Sequence, residues 1–278
     1  MLSNVRGKLG TVDFADFSML ITRLVNERRY DSLILSGAEV TTFSQLEQYV
    51  RYAASFGWFR KIQIQTNGRR LADREYVKQL VDAGVNEFFV SVHGLGDIHD
   101  AITRIPGSYA AVMAGIANLA EFPVHVISNT VLTASNCDGL VALFAELSAS
   151  PVHEMQLWNF FPMERTDRRD LVVSMSGLKA LLPGIASAIA PSGKTLVLKG
   201  FPECLSPESP CFVNSDFPLN LIQDDFWFEF AKNGFGACVH RERCSSRECW
   251  GLSNAYIEKY GDERTLLSPR TASGGAGS

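Results

Sequence analysis

Short runs of apolar and β-branched residues alternate along this chain with longer stretches in which apolar residues recur every three or four positions. From Asp13 to Tyr30, the residues Phe14, Phe17, Leu20, Ile21, Leu24 and Val25 share one helical face, which predicts an amphipathic helix. Ser32 to Ser36 predicts a buried strand. Thr42 to Phe56 predicts a helix with Leu46, Val50 and Ala53 turned inward, and Lys61 to Thr66 a second strand. The alternation continues with a helix from Leu71 to Ala83 stopped by Gly84, a strand from Glu87 to His93 and a helix from Tyr109 to Leu119. A strand from Val124 to Leu132, a helix from Asn136 to Ser148 and a strand from Glu154 to Phe161 follow. A helix from Ser176 to Ile189, despite Pro183, and a last strand from Lys194 to Lys199 end the series.

Strands separated by helices of this length make parallel βαβ units. Such units in a row predict an incomplete (β/α) barrel. A doubly wound sheet is the competing topology, and periodicity alone does not separate the two. Beyond Gly200 the pattern breaks: Pro202, Pro207, Pro210 and Pro218 punctuate it, aromatics crowd at Phe226-Trp227-Phe228, and cysteines gather. The expected organisation is an α/β partial barrel over residues 1–200, a small Cys-rich C-terminal extension over 201–270 and a disordered tail over 271–278.

Composition narrows the class. Over 278 residues, 46% hydrophobic and 20% charged content is that of a soluble globular chain. A net charge of −4 without a long basic run argues against nucleic acid or a membrane surface as partner. No apolar run approaches the roughly 20 residues of a membrane span. Arg6 and Lys8 are followed by Asp13 and Asp16, which does not read as a signal peptide, so a cytoplasmic location is the default expectation.

In parallel α/β proteins, ligand groups collect where strands end. Here the strands run into Ser36-Gly37-Ala38-Glu39, Thr66-Asn67-Gly68, Ser91-Val92-His93-Gly94, Ser128-Asn129-Thr130 and Asn159-Phe160-Phe161-Pro162. Hydroxyls, amides and one carboxylate on one rim predict a polar cup over an apolar barrel, suited to a ligand carrying a hydroxylated sugar and an amino-acid moiety. Loops of this kind are also rich in turn and cap residues for structural reasons alone. Glu39 stands apart, because a capping role would equally suit Ser or Asp. His93 ends a strand and reads equally as a ligand contact or as plain loop, whereas Cys137 is expected to be a buried small apolar residue.

These strand ends, in this order, resemble the radical S-adenosylmethionine (SAM) superfamily. Leu35-Ser36-Gly37-Ala38-Glu39-Val40-Thr41 is similar to its GGEP motif, and Gln65-Thr66-Asn67-Gly68 to its TNG. Ser91-Val92-His93-Gly94, then His99-Asp100-Ala101-Ile102-Thr103, and Asn129-Thr130-Val131-Leu132 with Asn136 match later motifs. The resemblance implies a SAM site: the backbone at Ser36 and Gly37, with Glu39, at the methionine amino group; Thr66, Asn67 and Ser91 near the carboxylate or ribose; Asn129 at the ribose; and the Asn159–Phe161 backbone at the adenine. Ala38 and Val40 depart from the motif's second Gly and its Pro, and Ala resists backbone shapes that Gly permits, so an altered SAM site is expected.

The cysteines Cys238, Cys244 and Cys249, followed by Trp250-Gly251 and Tyr256, resemble the SPASM/twitch-like extension of that family, whose cysteines hold an auxiliary [4Fe–4S] cluster. The resemblance implies Cys204 as fourth ligand, with Cys211 as the alternative. A structural Zn site of Cys₄ or Cys₃His type, with His240, is the rival. The family's first cluster sits on a CxxxCxxC loop and delivers the electron that splits SAM into a 5′-deoxyadenosyl radical. This chain has no cysteine before Cys137. The start at Met1-Leu2-Ser3-Asn4 would fall just past such a loop, and the helix from Asp13 to Tyr30 would follow it, so the barrel is expected to lack its first strand. Truncation, degeneration and completion by a partner chain at the exposed Ser32–Ser36 strand are the competing explanations. The implied function is radical modification of a peptide or small-molecule substrate in a complete form, with these residues inactive alone. The alternative is a non-catalytic binding or cluster-carrying protein of the same fold.

Overall fold

In a computed structural model, the described residues are 12–162, 164–205, 212–213, 228, 231–232, 234, 238–246 and 249–270. Cys211 and the tail 271–278 lie outside them. The alternation of elements read from the sequence is present. Helix α1 (Phe14–Glu27) leads to β1 (Ser32–Leu35), α2 (Leu46–Ser55), β2 (Lys61–Thr66), α3 (Arg74–Ala83) and β3 (Glu87–Ser91). Then come α4 (Asp97–Thr103), α5 (Ser108–Leu119), β4 (His125–Leu132), α6 (Leu140–Ala149), β5 (Glu154–Asn159), α7 (Met175–Ile189) and β6 (Thr195–Lys199). A two-residue strand β7 (Phe212–Val213) and helix α8 (Asn254–Tyr260) follow.

The strands form one sheet in the order β1-β2-β3-β4-β5-β6-β7, every neighbouring pair parallel. Sequence order equals spatial order throughout. That removes the doubly wound alternative, which needs a point where strand order reverses. The sheet is an open, partial barrel, and β1 is hydrogen-bonded on one side only among the described residues.

Several helix starts differ from the pattern for local reasons. The segment before α2 folds as a short 3₁₀ turn at Val40–Thr42, because the Glu39 side chain accepts from Thr41 N–H. Asp73 caps α3 through Glu75 and Tyr76 N–H, which delays that helix to Arg74. Cys137–Gly139 is another 3₁₀ turn, so α6 begins at Leu140; Cys137 is half-exposed there rather than buried. Helix α7 runs through Pro183, which faces solvent, so the carbonyl that its ring leaves unpaired can bond water.

Alternate residues of each strand point to opposite faces. One set, including Ile62, Ile64, Phe88, Val90, Val126, Met155, Leu157 and Leu198, joins Val50, Val77, Leu80, Ile116, Leu143, Phe144, Leu178 and Ile185 of the helices in a single core. Each such side chain is worth about 1.5–3 kcal/mol of transfer energy. The other set is largely polar: Gln63, Gln65, Glu87, Ser91, Asn129, Glu154 and Gln156 occupy matching levels on the opposite face. Ser36 donates to Gln65 (2.9 Å), Gln65 to Gln63 (3.3 Å), and Gln63 to Glu87, which also pairs with Lys61 at 3.1 Å. Gln156 donates to Glu154 (2.7 Å) and accepts from Trp158 (3.1 Å). The expected polar cup over an apolar barrel is therefore corrected: polar groups continue down the face that the helices do not cover.

The C-terminal segment packs into the same core. Leu205, Leu252, Tyr256 and Leu267 are buried with the residues of α7, and the Tyr256 hydroxyl accepts from Met175 N–H at 2.6 Å. Lys259 reaches Asp167 at 2.9 Å and pairs with Asp170. Burial alone would raise the carboxyl of Asp167, but the Lys259 ammonium and the N–H groups of Val172 and Leu171 outweigh it and hold it below the usual range.

Candidate functional site

At the C-terminal rim of the sheet, the loops after β1 and β2 are tied together by Glu39. Its carboxylate accepts from Thr41 N–H (3.1 Å), Thr41 Oγ1 (2.7 Å), Thr66 Oγ1 (2.6 Å) and Asn67 N–H (2.7 Å). It does cap, contrary to the reason that set it apart in the sequence. Its length serves a second purpose, reaching from the loop after β1 to the loop after β2. Thr66 is buried, donates to Glu39 and accepts from Gly68 N–H at 3.0 Å. Asn67 accepts from Arg69 N–H through Oδ1 at 3.0 Å. Gly68 has φ of +75°, and a Cβ there would come within 2.5 Å of Val112 and 2.6 Å of Val90, so this position requires glycine.

Ser36 and Gly37 are exposed, with open space around Gly37. Ala38 is not among the residues of left-handed φ, so its Cβ strains nothing. The departure from the family motif at this residue carries no backbone penalty.

Ser91 and Asn129 are register partners on the uncovered face. The Oδ1 of Asn129 is buried and, like the neighbouring Ser128 Oγ, has no hydrogen-bond partner among the described residues, an uncompensated acceptor of the kind a ligand donor would satisfy. His93 ends this strand early. Its Nδ1 accepts from Val131 N–H at 3.4 Å, taking the place of the next ladder carbonyl. His99, almost fully buried, accepts from His93 N–H at 3.0 Å, and the two rings stack at 5.9 Å. Burial, then the neighbouring His99, push the His93 imidazole down to about 4, so it is neutral at pH 7. The His99-Asp100 segment, matched to a family motif, is structural: Asp100 accepts from Gly107 N–H (2.6 Å), Ser108 Oγ (2.9 Å) and Tyr109 N–H (2.7 Å) at the start of α5. Arg104, passed over in the sequence, follows in the β3-to-α5 connection, exposed and with a left-handed φ of 60°. Its signal was only that of a charged residue beside a recognised motif.

The second group lies after β6. Cys204, Cys238, Cys244 and Cys249 line one small cavity, with His240, Glu203, Leu267, Ser268 and Arg270. The sequence separates them by as many as 45 residues (249 − 204). Their sulfurs sit among backbone donors. Gly251 N–H donates to Cys249 Sγ and Arg270 N–H to Cys244 Sγ, each at 3.4 Å. Ser268 N–H is directed at Cys204, and Glu203 N–H at Cys249. Burial, followed by the neighbouring cysteines or Glu203, pushes the thiols of Cys204 and Cys249 up. Bringing several sulfurs together out of water favours their charged form only if a cation joins them. Among the described residues, no three Cys, His, Asp or Glu side chains converge where a single ion could be held. His240 places Nε2 3.3 Å from the Arg264 carbonyl, leaving only Nδ1 for other bonds. Four thiols around one cavity are a donor set of the kind that iron–sulfur clusters and tetrahedral zinc both take.

The family model described as the radical SAM superfamily matches residues 4–136. Over 178 residues the chain is 25% identical to a 7,8-dihydro-6-hydroxymethylpterin dimethyltransferase of Methanocaldococcus jannaschii, covering 63% of this chain and 35% of the relative. The chain thus spans about a third of the length of the curated relative it matches. Among solved structures, Streptococcus suis SuiB bound to S-adenosylmethionine aligns with a TM-score of 0.58 at 14% identity, covering 95% of this chain and 70% of that one. The protein anSMEcpe with bound AdoMet and a peptide aligns with a TM-score of 0.62 at 15% identity, covering 92% and 89%. At these identities the structural likeness shows the fold.

Proposed function

We propose, taking as premise that residues 4–136 belong to the radical SAM superfamily, that the rim binds SAM and that the complete protein modifies a peptide or small molecule. The buried, unpartnered Oδ1 of Asn129 is the observation that carries the reading. It lies beside Ser91, at the end of a sheet whose strand order and rim motifs match that family. In such enzymes the bound cluster and SAM together supply a 5′-deoxyadenosyl radical. This chain's own part is to orient the ligand. Asn129 and Ser91 present an acceptor and a hydroxyl toward ribose. Glu39 fixes the loop whose backbone at Ser36 and Gly37 would meet the methionine amino group, and so acts through the loop rather than by an open carboxylate.

The substrate class follows two kinds of likeness. The curated relative is named for a pterin, and anSMEcpe was solved with a bound peptide. We further propose that Cys204, Cys238, Cys244 and Cys249 hold an auxiliary [4Fe–4S] cluster. The support is their common cavity and the N–H groups around the sulfurs. Cys211, the alternative ligand, lies outside the described residues.

Calorimetric titration with S-adenosylhomocysteine tests the rim: binding by the protein, weakened about tenfold by Asn129→Ala, is expected for loss of one buried hydrogen bond. Wild-type protein that binds no S-adenosylhomocysteine would sink the SAM reading. The 278 residues contain no CxxxCxxC loop, and we propose that alone they release no 5′-deoxyadenosine. Turnover by these residues would overturn that. Retained ligand binding without turnover in the full-length natural protein would favour the non-catalytic alternative.

A further inference from the structure

We propose that the segment from Arg264 to Arg270 is a strap that closes the cysteine cavity, and that its backbone N–H groups tune the group held there. The proposal rests on the reading that the four thiolates bind an iron–sulfur cluster. After a turn in which Leu266 N–H donates to the Glu263 carbonyl (2.8 Å), the strap is anchored by Leu267, 3% exposed and packed with Leu205 and Leu252. From that anchor it lines the cavity with Ser268 and Arg270. Ser268 aims its N–H at Cys204, and Arg270 donates its N–H to Cys244 Sγ at 3.4 Å. The Arg270 carbonyl accepts from Ser245 N–H at 2.8 Å, pinning the strap to the residue after Cys244. The Arg270 guanidinium reaches Glu203, beside Cys204, at 2.8 Å. One short segment therefore bonds to the neighbourhoods of two cysteines that are 40 residues apart (244 − 204).

Adding an electron to a thiolate-bound cluster places more negative charge on its sulfurs. An N–H dipole directed at a sulfur stabilises the reduced form and raises the potential. Contacts of this outer kind also hold the ligands in place, and their loss typically lowers metal affinity on the order of 10–100-fold. Ser268 and Arg270 are thus positioning residues, acting through Cys204 and Cys244.

Ser268 offers a clean test, because its side chain is exposed and the residue after it is Pro269. Ser268→Pro removes one N–H without changing charge, next to a residue that is already proline. Ser268→Ala keeps the N–H. The full chain, wild type and variants, is reconstituted anaerobically with iron and sulfide, and iron content, visible spectrum and midpoint potential are recorded. The expected result is the same cluster in all three proteins. The Ser268→Pro potential should shift negative, with release to a chelator about tenfold faster, while Ser268→Ala behaves as wild type. Arg270→Ala, which frees the guanidinium anchor, should also release iron faster and provides a second reading if Ser268→Pro fails to fold. Clusters in Ser268→Pro or Arg270→Ala with wild-type potential and release overturn the strap. Wild-type protein that takes up no iron overturns the cluster reading instead, so the two failures are distinct.

Discussion

At the rim, Glu39 accepts four hydrogen bonds from Thr41, Thr66 and Asn67, and the loops it joins are satisfied without any ligand. In the cysteine cavity, the half-buried thiols of Cys204 and Cys249 are pushed up by burial and by one another's neighbourhood, and the surrounding N–H groups point at sulfur. The rim is a scaffold that leaves Asn129 Oδ1 and Ser128 Oγ without a partner among the described residues; the cavity gathers four cysteines that are far apart in the chain. The difference teaches where each motif spends its residues. Thr66-Asn67-Gly68 and His99-Asp100 shape backbone, while the four cysteines converge on one cavity.

The contrast is broken most forcefully by loading the protein with iron and then removing it. If the cavity depends on it, iron-loaded protein treated with a chelator should become sensitive to limited proteolysis within residues 238–270, with the sheet from β1 to β6 left intact. Equal protection of both regions with and without iron would make the cavity as self-sufficient as the rim. Next in size is Gly68→Ala. Its Cβ would collide with Val112 and Val90 at a left-handed φ, and we expect about 3 kcal/mol of lost stability in urea unfolding. Glu39→Ala should cost roughly 2–3 kcal/mol by leaving Thr66 and Asn67 donors unpaired, and Glu39→Gln about half of that. Neither substitution should alter iron content.

How much of this was legible in the sequence depends on the period that carried it. The helix and strand order from Asp13 to Lys199 was plain, because core residues repeat at helical or strand spacing. The uncovered polar face was also written there, in Lys61-Ile62-Gln63-Ile64-Gln65 and Glu154-Met155-Gln156-Leu157, an alternation that a strand buried on both sides would not show. It does not show at the strand ends, where the rim motifs lie. The role of Glu39 was not legible: the four donors it serves come from two loops separated by β2 and α2, and only folding brings them together. Helix α4 was missed because Asp97–Thr103 is too short for periodicity to register. The cysteine grouping was legible as types and spacing, but the strap across it was not, since N–H groups leave no trace in side-chain identity.

His93 supplies a smaller, pH-dependent test of rim self-sufficiency. In the folded protein its imidazole is pushed down to about 4 by burial and by His99, against an unfolded value near 6.5. Above pH 6.5 both states are neutral and the full stability is present. As pH falls from 6.5 toward 4 the unfolded chain takes up a proton that the folded one refuses, so stability declines across that window and levels off below it. Allowing for the partial exposure of the ring at the rim, the loss should be about 2 kcal/mol. His93→Gln, which keeps an acceptor for Val131 N–H, should flatten that part of the stability–pH curve; an unchanged slope would show that His93 is not held neutral.

The smallest effect bears on Ala38, the position at which the rim departs from the family motif. If a glycine there were needed for close ligand approach, Ala38→Gly should tighten S-adenosylhomocysteine binding. The backbone says otherwise: Ala38 does not occupy the left-handed region, and it is exposed. A glycine would then only enlarge the freedom of the unfolded chain, lowering stability by about 0.4–1 kcal/mol with no gain in affinity. Tighter binding in Ala38→Gly would mean that the loop must move to accept its ligand, and that the rim is finished only by what it binds.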